Sequence, residues 1–311
     1  MSVTYRDVIH AASRIAEGIH CTPVMTSKLL DAEAGCELFF KCEHLQKAGA
    51  FKSRGAVNAV FSMSPDDLGL GVATHSSGNH GAALARAAAL KEVPAYIVVP
   101  ENAKQAKKDA IVAYGGQVIT CESTLPAREA KLVEVIAETG ATFIPPYDAD
   151  DIIAGQGTAA LELVEQAPGL DCIVVPVGGG GLLAGSSLVA EQVNARVYGA
   201  EPTGADDAHR SFHSGELVTE QVPDTICDGL LTTVGKNNFD IVRHRVTDIL
   251  LASDDETRAA MKLIWSRLKQ VVEPSSAIAL AVILKHPGLF SGKRVGVMLT
   301  GGNVDLDHLP F

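Results

Sequence analysis

Several residues in this chain have types and spacing suited to covalent chemistry on a carbonyl. Lys52 follows Phe51 inside the polar stretch Lys41 to Ala56, between an apparent strand (Leu38-Phe39-Phe40) and an apparent helix from Gly55. A lysine becomes nucleophilic when burial or cationic neighbours lower its pKa, and it then forms Schiff bases with carbonyls. On that stretch alone a solvated lysine is the simpler reading, because lysine is mostly a surface residue. Three turns change the balance: Ser76-Ser77-Gly78-Asn79-His80-Gly81, Gly178-Gly179-Gly180-Gly181 and Thr300-Gly301-Gly302-Asn303. Each follows an apparent strand, and open α/β sheets bind ligands beyond the carboxyl ends of their strands. Four glycines let backbone N–H groups approach an anion, and the helix start behind them adds a favourable dipole. The spacing is neither GxGxxG nor followed by GK[ST], so a single phosphate monoester fits better than a dinucleotide or nucleoside triphosphate. On the glycines alone, a plain tight turn is an equal reading. Glu201 and Asp207, six residues apart with a carbonyl available between them, suit a hard cation that keeps several waters; bare acidic loops are otherwise simply solvated.

The elements that must position these groups alternate. Apolar residues at helical spacing over Tyr5 to Gly18 predict a first helix, with Gly18 as its end; Ser27 is placed to cap a second over Lys28 to Ala34. Strands are predicted at 38–41, 71–75, 95–99, 117–121, 141–144, 172–177, 197–200 and 294–299, separated mostly by helical segments. Residues 204–232 read as polar and irregular, and a helix is predicted over Asp255 to Lys269 with another after Glu273-Pro274. Strands separated by helices of this length predict parallel sheet with crossover helices, here two open α/β lobes. The smaller spans 70–146 and is inserted in a larger one formed by 1–69 and 147–311.

The chain has 311 residues, 47% apolar and 20% charged, with a formal net charge of −11 and no basic block. That composition is globular and excludes nucleic acid or an anionic membrane as an expected partner. The six cysteines (Cys21, Cys36, Cys42, Cys121, Cys172, Cys227) are scattered without a CxxC pair, so neither a disulfide framework nor a zinc site is expected. No apolar run approaches the ~20 residues of a membrane span, and no basic region leads into an apolar stretch at the N-terminus. A cytoplasmic protein is expected.

Phe51-Lys52-Ser53-Arg54-Gly55-Ala56, the Ser76 to Gly81 turn, Pro176-Val177 with the four glycines, and Thr300 to Asn303 occur in the order seen in serine racemase and the serine/threonine dehydratases. The chain resembles these fold type II pyridoxal phosphate enzymes (the tryptophan synthase β-like architecture) over nearly its whole length, including Ala154-Gly155-Gln156-Gly157-Thr158. Ser76-Ser77 is nearer the racemases than the threonine dehydratases, which usually have alanine at the second position. The resemblance implies that Lys52 holds the cofactor, with Phe51 against its ring, Gly178, Gly179, Gly180 and Gly181 around its phosphate, and Asn79 on the ring hydroxyl oxygen. Thr300 would face the pyridine nitrogen. A neutral hydroxyl does not stabilise a protonated ring nitrogen as a carboxylate would, which favours β-elimination over transamination.

The resemblance further implies that Lys52 removes the α proton from one face while the Ser77 hydroxyl serves the other, giving racemisation or elimination from the D-enantiomer. The competing role for Ser77 is a helix cap. Ser76, Ser77, Asn79 and His80 would bind substrate, with Arg128 and Asp228 near the mouth; Asp228 and Glu273 could each instead cap a helix, and Arg128 could be a solvated helix residue. Glu201, Ala205 and Asp207 match the magnesium or calcium site of serine racemase; manganese would suit the same oxygens. Mammalian racemases bind ATP through a region with a Lys-Thr pair where this chain has Lys47-Ala48, which counts against ATP activation. No regulatory C-terminal domain is expected after Phe311, and a homodimer is the family expectation. The implied activity is dehydration of β-hydroxy amino acids such as serine or threonine to a 2-oxo acid and ammonia, with serine racemisation. The alternatives are a 3-hydroxyaspartate dehydratase, which needs a cation near the distal carboxylate, and a non-catalytic amino-acid or cofactor-binding protein. A nucleotide-binding regulator is a further class, and would bind ATP without cofactor colour. A β-replacement synthase fits less well, because those enzymes favour the turn Thr-Ser-Gly-Asn-Thr.

Overall fold

The computed structural model describes residues 3–311. From the N-terminal side, α1 (Tyr5–Ile15), β1 (Val24–Met25), α2 (Lys28–Ala34) and β2 (Glu37–Cys42) lead through two short 3-10 turns into α3 (Lys52–Ser62) and α4 (Pro65–Gly69). A strict alternation follows: β3 (Val72–His75), α5 (Asn79–Ala89), β4 (Ala95–Pro100), α6 (Gln105–Ala113), β5 (Gln117–Cys121), α7 (Leu125–Thr139) and β6 (Thr142–Phe143). The chain returns through α8 (Asp150–Gln166), β7 (Cys172–Pro176), α9 (Gly181–Ala190), β8 (Arg196–Pro202), α10 (Asp207–Ser214), α11 (Lys236–Arg245) and β9 (Asp248–Ala252). It ends with α12 (Asp254–Leu263), α13 (Pro274–Lys285), α14 (Pro287–Phe290) and β10 (Arg294–Leu299).

The strands form two sheets, ordered β1-β2-β10-β7-β8-β9 and β5-β4-β3-β6. All pairings are parallel except β1 with β2. β7 is buried along its whole length, and β10 is buried after Arg294, as expected of parallel strands covered by helices on both faces. The last strand in the chain, β10, therefore lies centrally between β2 and β7. Leu299 pairs in register with Cys42, and an isolated bridge joins Ala50 to Gly301. The stretch after β2 and the turn after β10 thus meet at one edge, although more than 240 residues separate them in the chain.

Helix α8 explains the Ala154 to Thr158 motif. A Cβ on Gly155 would stand 2.6 Å from the Gly55 Cα, and one on Gly157 would stand 2.9 Å from the Gly185 carbonyl oxygen. These glycines let α8 touch α3 on one side and α9 on the other, so the helix carrying Lys52 is seated by backbone contact. The Gly55 N–H also donates to Gln156 Oε1 at 3.1 Å.

Several elements differ from the sequence reading. Helix α3 starts at Lys52 itself, because Phe51 already has helical angles. Gly18 lies beyond the end of α1, whose C-cap is Ala16. Ser27 does precede α2, but its side chain makes no cap hydrogen bond. Residues 207–214 are helical, and β1, α11 and β9 have no counterpart in the reading. Helices α10 and α11 are rich in polar residues, and what holds α11 is burial of Phe239, Ile241 and Val242 in the core beside α9. The helix expected to run to Lys269 ends as α12, passes through a π-helical turn at Ile264–Leu268, and stops where Lys269 turns left-handed at φ +61°.

Candidate active site

Lys52 opens α3, and its Nζ donates to the Pro146 carbonyl at 2.7 Å. The amine lies 5.1 Å from the centre of the Phe51 ring, and the Phe51 N–H is tied to the Thr300 carbonyl at 3.0 Å. The side chain keeps some solvent-accessible surface while its amine sits deep, and lost hydration lowers its pKa to about 8. It is therefore a far better nucleophile near neutrality than an ordinary lysine.

The tetraglycine turn lies between β7 and α9. Gly180 holds φ +89°, and no side chain caps the helix behind it. A Cβ on Gly179 would stand 2.2 Å from the Tyr147 ring, and one on Gly178 would stand 3.1 Å from the Gly229 carbonyl oxygen. The N–H groups of Gly178, Gly179 and Gly180 donate to no acceptor among the described residues. Free amides at an uncapped helix N-terminus form a cradle for a phosphate. Pro146 and Tyr147 are neighbours, one holding the lysine amine and the other lying on this turn, so the amine and the cradle are within one side chain's reach of a common segment. The residues fit pyridoxal phosphate, which needs an amine for its aldehyde and an anion site for its phosphate.

The turn after β3 leads into α5. Its N-cap is Gly78, with no side-chain cap, so Ser77 does not serve as one. Asn79 Nδ2 donates to Glu273 Oε1 at 3.0 Å, and Asn79 Oδ1 accepts from Asn303 Nδ2 at 2.8 Å. One Asn79 amide hydrogen is left for a ligand. His80 is buried; its Nε2 donates to the Ile144 carbonyl at 3.1 Å, and burial together with the nearby Lys52 charge lowers its pKa to about 3. It is a neutral imidazole whose Nδ1 has no partner. Thr300 Oγ1 lies 3.1 Å from Ser276 Oγ, whose hydroxyl is itself fixed by Gly301. Glu273 is buried beneath Gly301, and desolvation, reinforced by the Asp228 charge, raises its pKa to about 8. Its carboxyl makes no cap hydrogen bond to α13 and accepts from Asn79 and the Asn303 N–H.

Arg128 is half-buried on α7, with its Nε buried and unpartnered among the described residues. Burial first, then the Arg128 charge, lower the pKa of His75, the residue immediately before Ser76. Asp228 is half-exposed and its carboxylate is engaged by Lys107 Nζ from α6 at 2.7 Å. Glu201, the penultimate residue of β8, is fully buried and accepts from the N–H groups of Ala208 (2.9 Å) and His209 (2.7 Å). Asp207 accepts from Gln221 Nε2 (2.6 Å) and the Val234 N–H (2.7 Å). Burial pushes Asp207 up to about 6, and burial with the Asp207 charge pushes Glu201 up to about 9. Neither has a basic side chain in an ion pair among the described residues, so a cation would satisfy both.

Behind Lys52 lies a group that the motifs did not reveal. Arg54 is fully buried and uses all five N–H donors, on Glu43, Glu162 and Thr158. Lys41 Nζ uses all three, on the Thr22 carbonyl, Glu162 and Gln166. Two cations and two anions thereby anchor the first turn of α3 to β2 and α8. Also missed were Tyr147, Asn238 and Ser276; only Asn303 was visible, as the last residue of a glycine turn.

The family described as pyridoxal-phosphate dependent enzyme matches residues 15–301. A β-hydroxyaspartate dehydratase of Paracoccus denitrificans is 50% identical over 310 residues, covering 99% of this chain and 98% of that protein. A serine racemase of Dictyostelium discoideum is 48% identical, covering 99% of this chain and 97% of that protein. The solved structure of maize serine racemase superposes with a TM-score of 0.97 at 42% identity, covering 99% of this chain and 95% of that one.

Proposed function

We infer that this chain, which belongs to the pyridoxal-phosphate dependent enzymes, eliminates water from β-hydroxy amino acids such as serine or threonine and also racemises serine. The product of elimination is a 2-oxo acid with ammonia. The observation that carries the reading is the dehydrated Lys52 amine, held by Pro146, whose neighbour Tyr147 lies over the tetraglycine turn. When bound, pyridoxal phosphate supplies an electron sink that acidifies the α hydrogen of an amino acid. The free amides of Gly178 to Gly180 and the α9 dipole would hold the phosphate, Lys52 would hold the aldehyde carbon, Phe51 would pack on the ring and Asn79 would give its spare hydrogen to the ring hydroxyl oxygen. The Thr300 hydroxyl, placed by Ser276, would face the ring nitrogen as a neutral group. Ser76, the amides of the first α5 turn and His80 orient the substrate carboxylate. Lys52 Nζ takes the α proton on one face, and Ser77 Oγ, free of any cap bond, serves the other.

The uncompensated carboxylates support a divalent cation, magnesium by preference, at Glu201, Ala205 and Asp207. The reading includes a homodimer and a cytoplasmic location, the latter supported by six unpaired thiols, mostly buried. Among the described residues no helix is long and apolar enough to cross a membrane. The mobile element is proposed to be the 70–146 lobe, tied across to the rest by Lys107–Asp228 and by Lys104–Asp305 at 2.9 Å.

A second reading, 3-hydroxyaspartate dehydration, is favoured by the unpartnered Arg128 Nε beside His75, a cation of the kind the distal carboxylate needs. The name of the Paracoccus relative points the same way. The test follows oxo-acid and ammonia release from L- and D-serine, L-threonine and the 3-hydroxyaspartate isomers, with magnesium or EDTA. Turnover of serine or threonine supports the main reading, and turnover confined to 3-hydroxyaspartate moves it to the diacid. A coloured protein whose absorbance shifts with none of them would be a binding protein.

A further inference from the structure

The tetraglycine turn is held from behind. The Gly179 carbonyl oxygen accepts from Asn238 Nδ2 at 2.6 Å and from the Gly235 N–H at 3.1 Å. In a trans peptide the carbonyl and the next N–H point to opposite sides. Drawing the Gly179 oxygen towards Asn238 therefore aims the Gly180 N–H the other way, into the cradle. Asn238 is fully buried near the start of α11, and that start is fixed by Asp148. Asp148 Oδ1 accepts from the Asn238 N–H at 2.9 Å, and its carbonyl accepts from Asn237 Nδ2 at 3.2 Å. Asp148 holds φ +60°, a left-handed conformation that Asp and Asn tolerate better than most residues. A Cβ on Gly235 would stand 2.3 Å from the Asp148 carboxyl, so the two segments meet closely.

We propose that Asp148 and Asn238 form a clamp on the Gly179–Gly180 peptide that sets how tightly the cofactor phosphate is held. The inference rests on the reading of Gly178 to Gly181 as the phosphate cradle. Neither residue touches the reacting atoms, so both are positioning residues. The clamp is continuous with Pro146, which holds Lys52, and with Tyr147, which lies over Gly179; one three-residue stretch between β6 and α8 thus serves amine and phosphate together.

The experiment strips cofactor from the purified holoenzyme with hydroxylamine and measures rebinding of pyridoxal phosphate and of pyridoxal, which lacks the phosphate. N238D puts a carboxylate oxygen where the donor stood, facing the Gly179 oxygen. It is expected to weaken pyridoxal phosphate by about tenfold or more, the factor carried by one lost buried hydrogen bond, and to leave pyridoxal unchanged. D148A should act in the same direction, while D148N, which keeps both the acceptor and tolerance of positive φ, should stay close to the parent. If N238D fails to melt cooperatively, the D148A and D148N pair decides. Equal weakening of both ligands, or parental phosphate affinity in N238D and D148A, would overturn the clamp. A parent protein that takes up neither ligand would overturn the cofactor reading beneath it.

Discussion

Replacing Arg54 with methionine removes the centre of the buried charge group while keeping most of its volume, so the cavity contribution is small. Arg54 and Glu43 are wholly buried, and Glu162 is 17% exposed. Arg54 makes two bonds to Glu43 (2.7 and 2.7 Å), two to Glu162 (2.7 and 2.8 Å) and one to Thr158 (3.1 Å). Burial alone would raise the Glu162 pKa, but Arg54 and Lys41 outweigh it and hold the carboxyl below its ordinary range. R54M leaves two buried carboxylates against Lys41 alone. Breaking a buried ion pair in this way costs about 3–5 kcal/mol. An unfolding entropy of about 2.1 cal/mol/K per residue gives roughly 0.65 kcal/mol/K for a chain this long, so the melting temperature should fall by about 5–8 °C.

Differential scanning calorimetry of the holoenzyme reads this directly. The double variant R54M/E43Q restores neutrality and should recover about half of the loss, because the cost arises from uncompensated charge and not from the absent cation itself. The sign with pH follows from Glu162. Its lowered pKa contributes stability that is present above the ordinary carboxylate range and lost as pH falls through the folded value, so the gap between parent and R54M should narrow in acid. A melting temperature within about 1 °C of the parent, or a double variant as unstable as the sum of its singles, would refute the reasoning.

Three further outcomes follow from the geometry. Because burial lowers Lys52 from 10.5 to about 8, cofactor capture by the stripped protein should accelerate up to about pH 8 and then level; a rate still climbing at pH 10 would contradict that burial. The same shift means that the Lys52 amine binds fewer protons in the folded state than in the unfolded one between those values, so the stripped parent should gain denaturant stability relative to K52M as pH rises from 8 to 10.5. Magnesium at about a hundred times its dissociation constant should stabilise the parent by about 2.7 kcal/mol, and the gain should vanish with EDTA or in E201Q. In S77A, turnover of D-serine and racemisation should be lost while elimination from L-serine persists with little change in KM; an equal fall on both enantiomers would assign Ser77 a structural role.

Much of this protein could be read along the chain. Parallel strands must be near-continuous apolar runs, crossover helices must separate them, and glycine must stand where backbone meets ligand; Val174-Val175, the four glycines and Phe51-Lys52 carry those requirements locally. The alternation foretold two parallel sheets, and the chemistry-bearing turns all lay where strands end. Residues whose role is set by partners far along the chain were not legible. Arg54 meets Glu162 across 108 positions, Asn79 meets Asn303 across 224, and Asn238 meets Gly179 across 59. Nothing near Arg54 or Asn238 in the chain marks them as buried, since polar residues are ordinarily exposed. Helices α10 and α11 were missed for a related reason, because their mostly polar sequences become helical through a few buried contacts and not through a strong local pattern. Local sequence sufficed wherever backbone geometry and apolar periodicity decide the outcome. Tertiary structure alone decided which buried charges find each other, because the cost of burying a polar group is met only by a partner that folding brings to it.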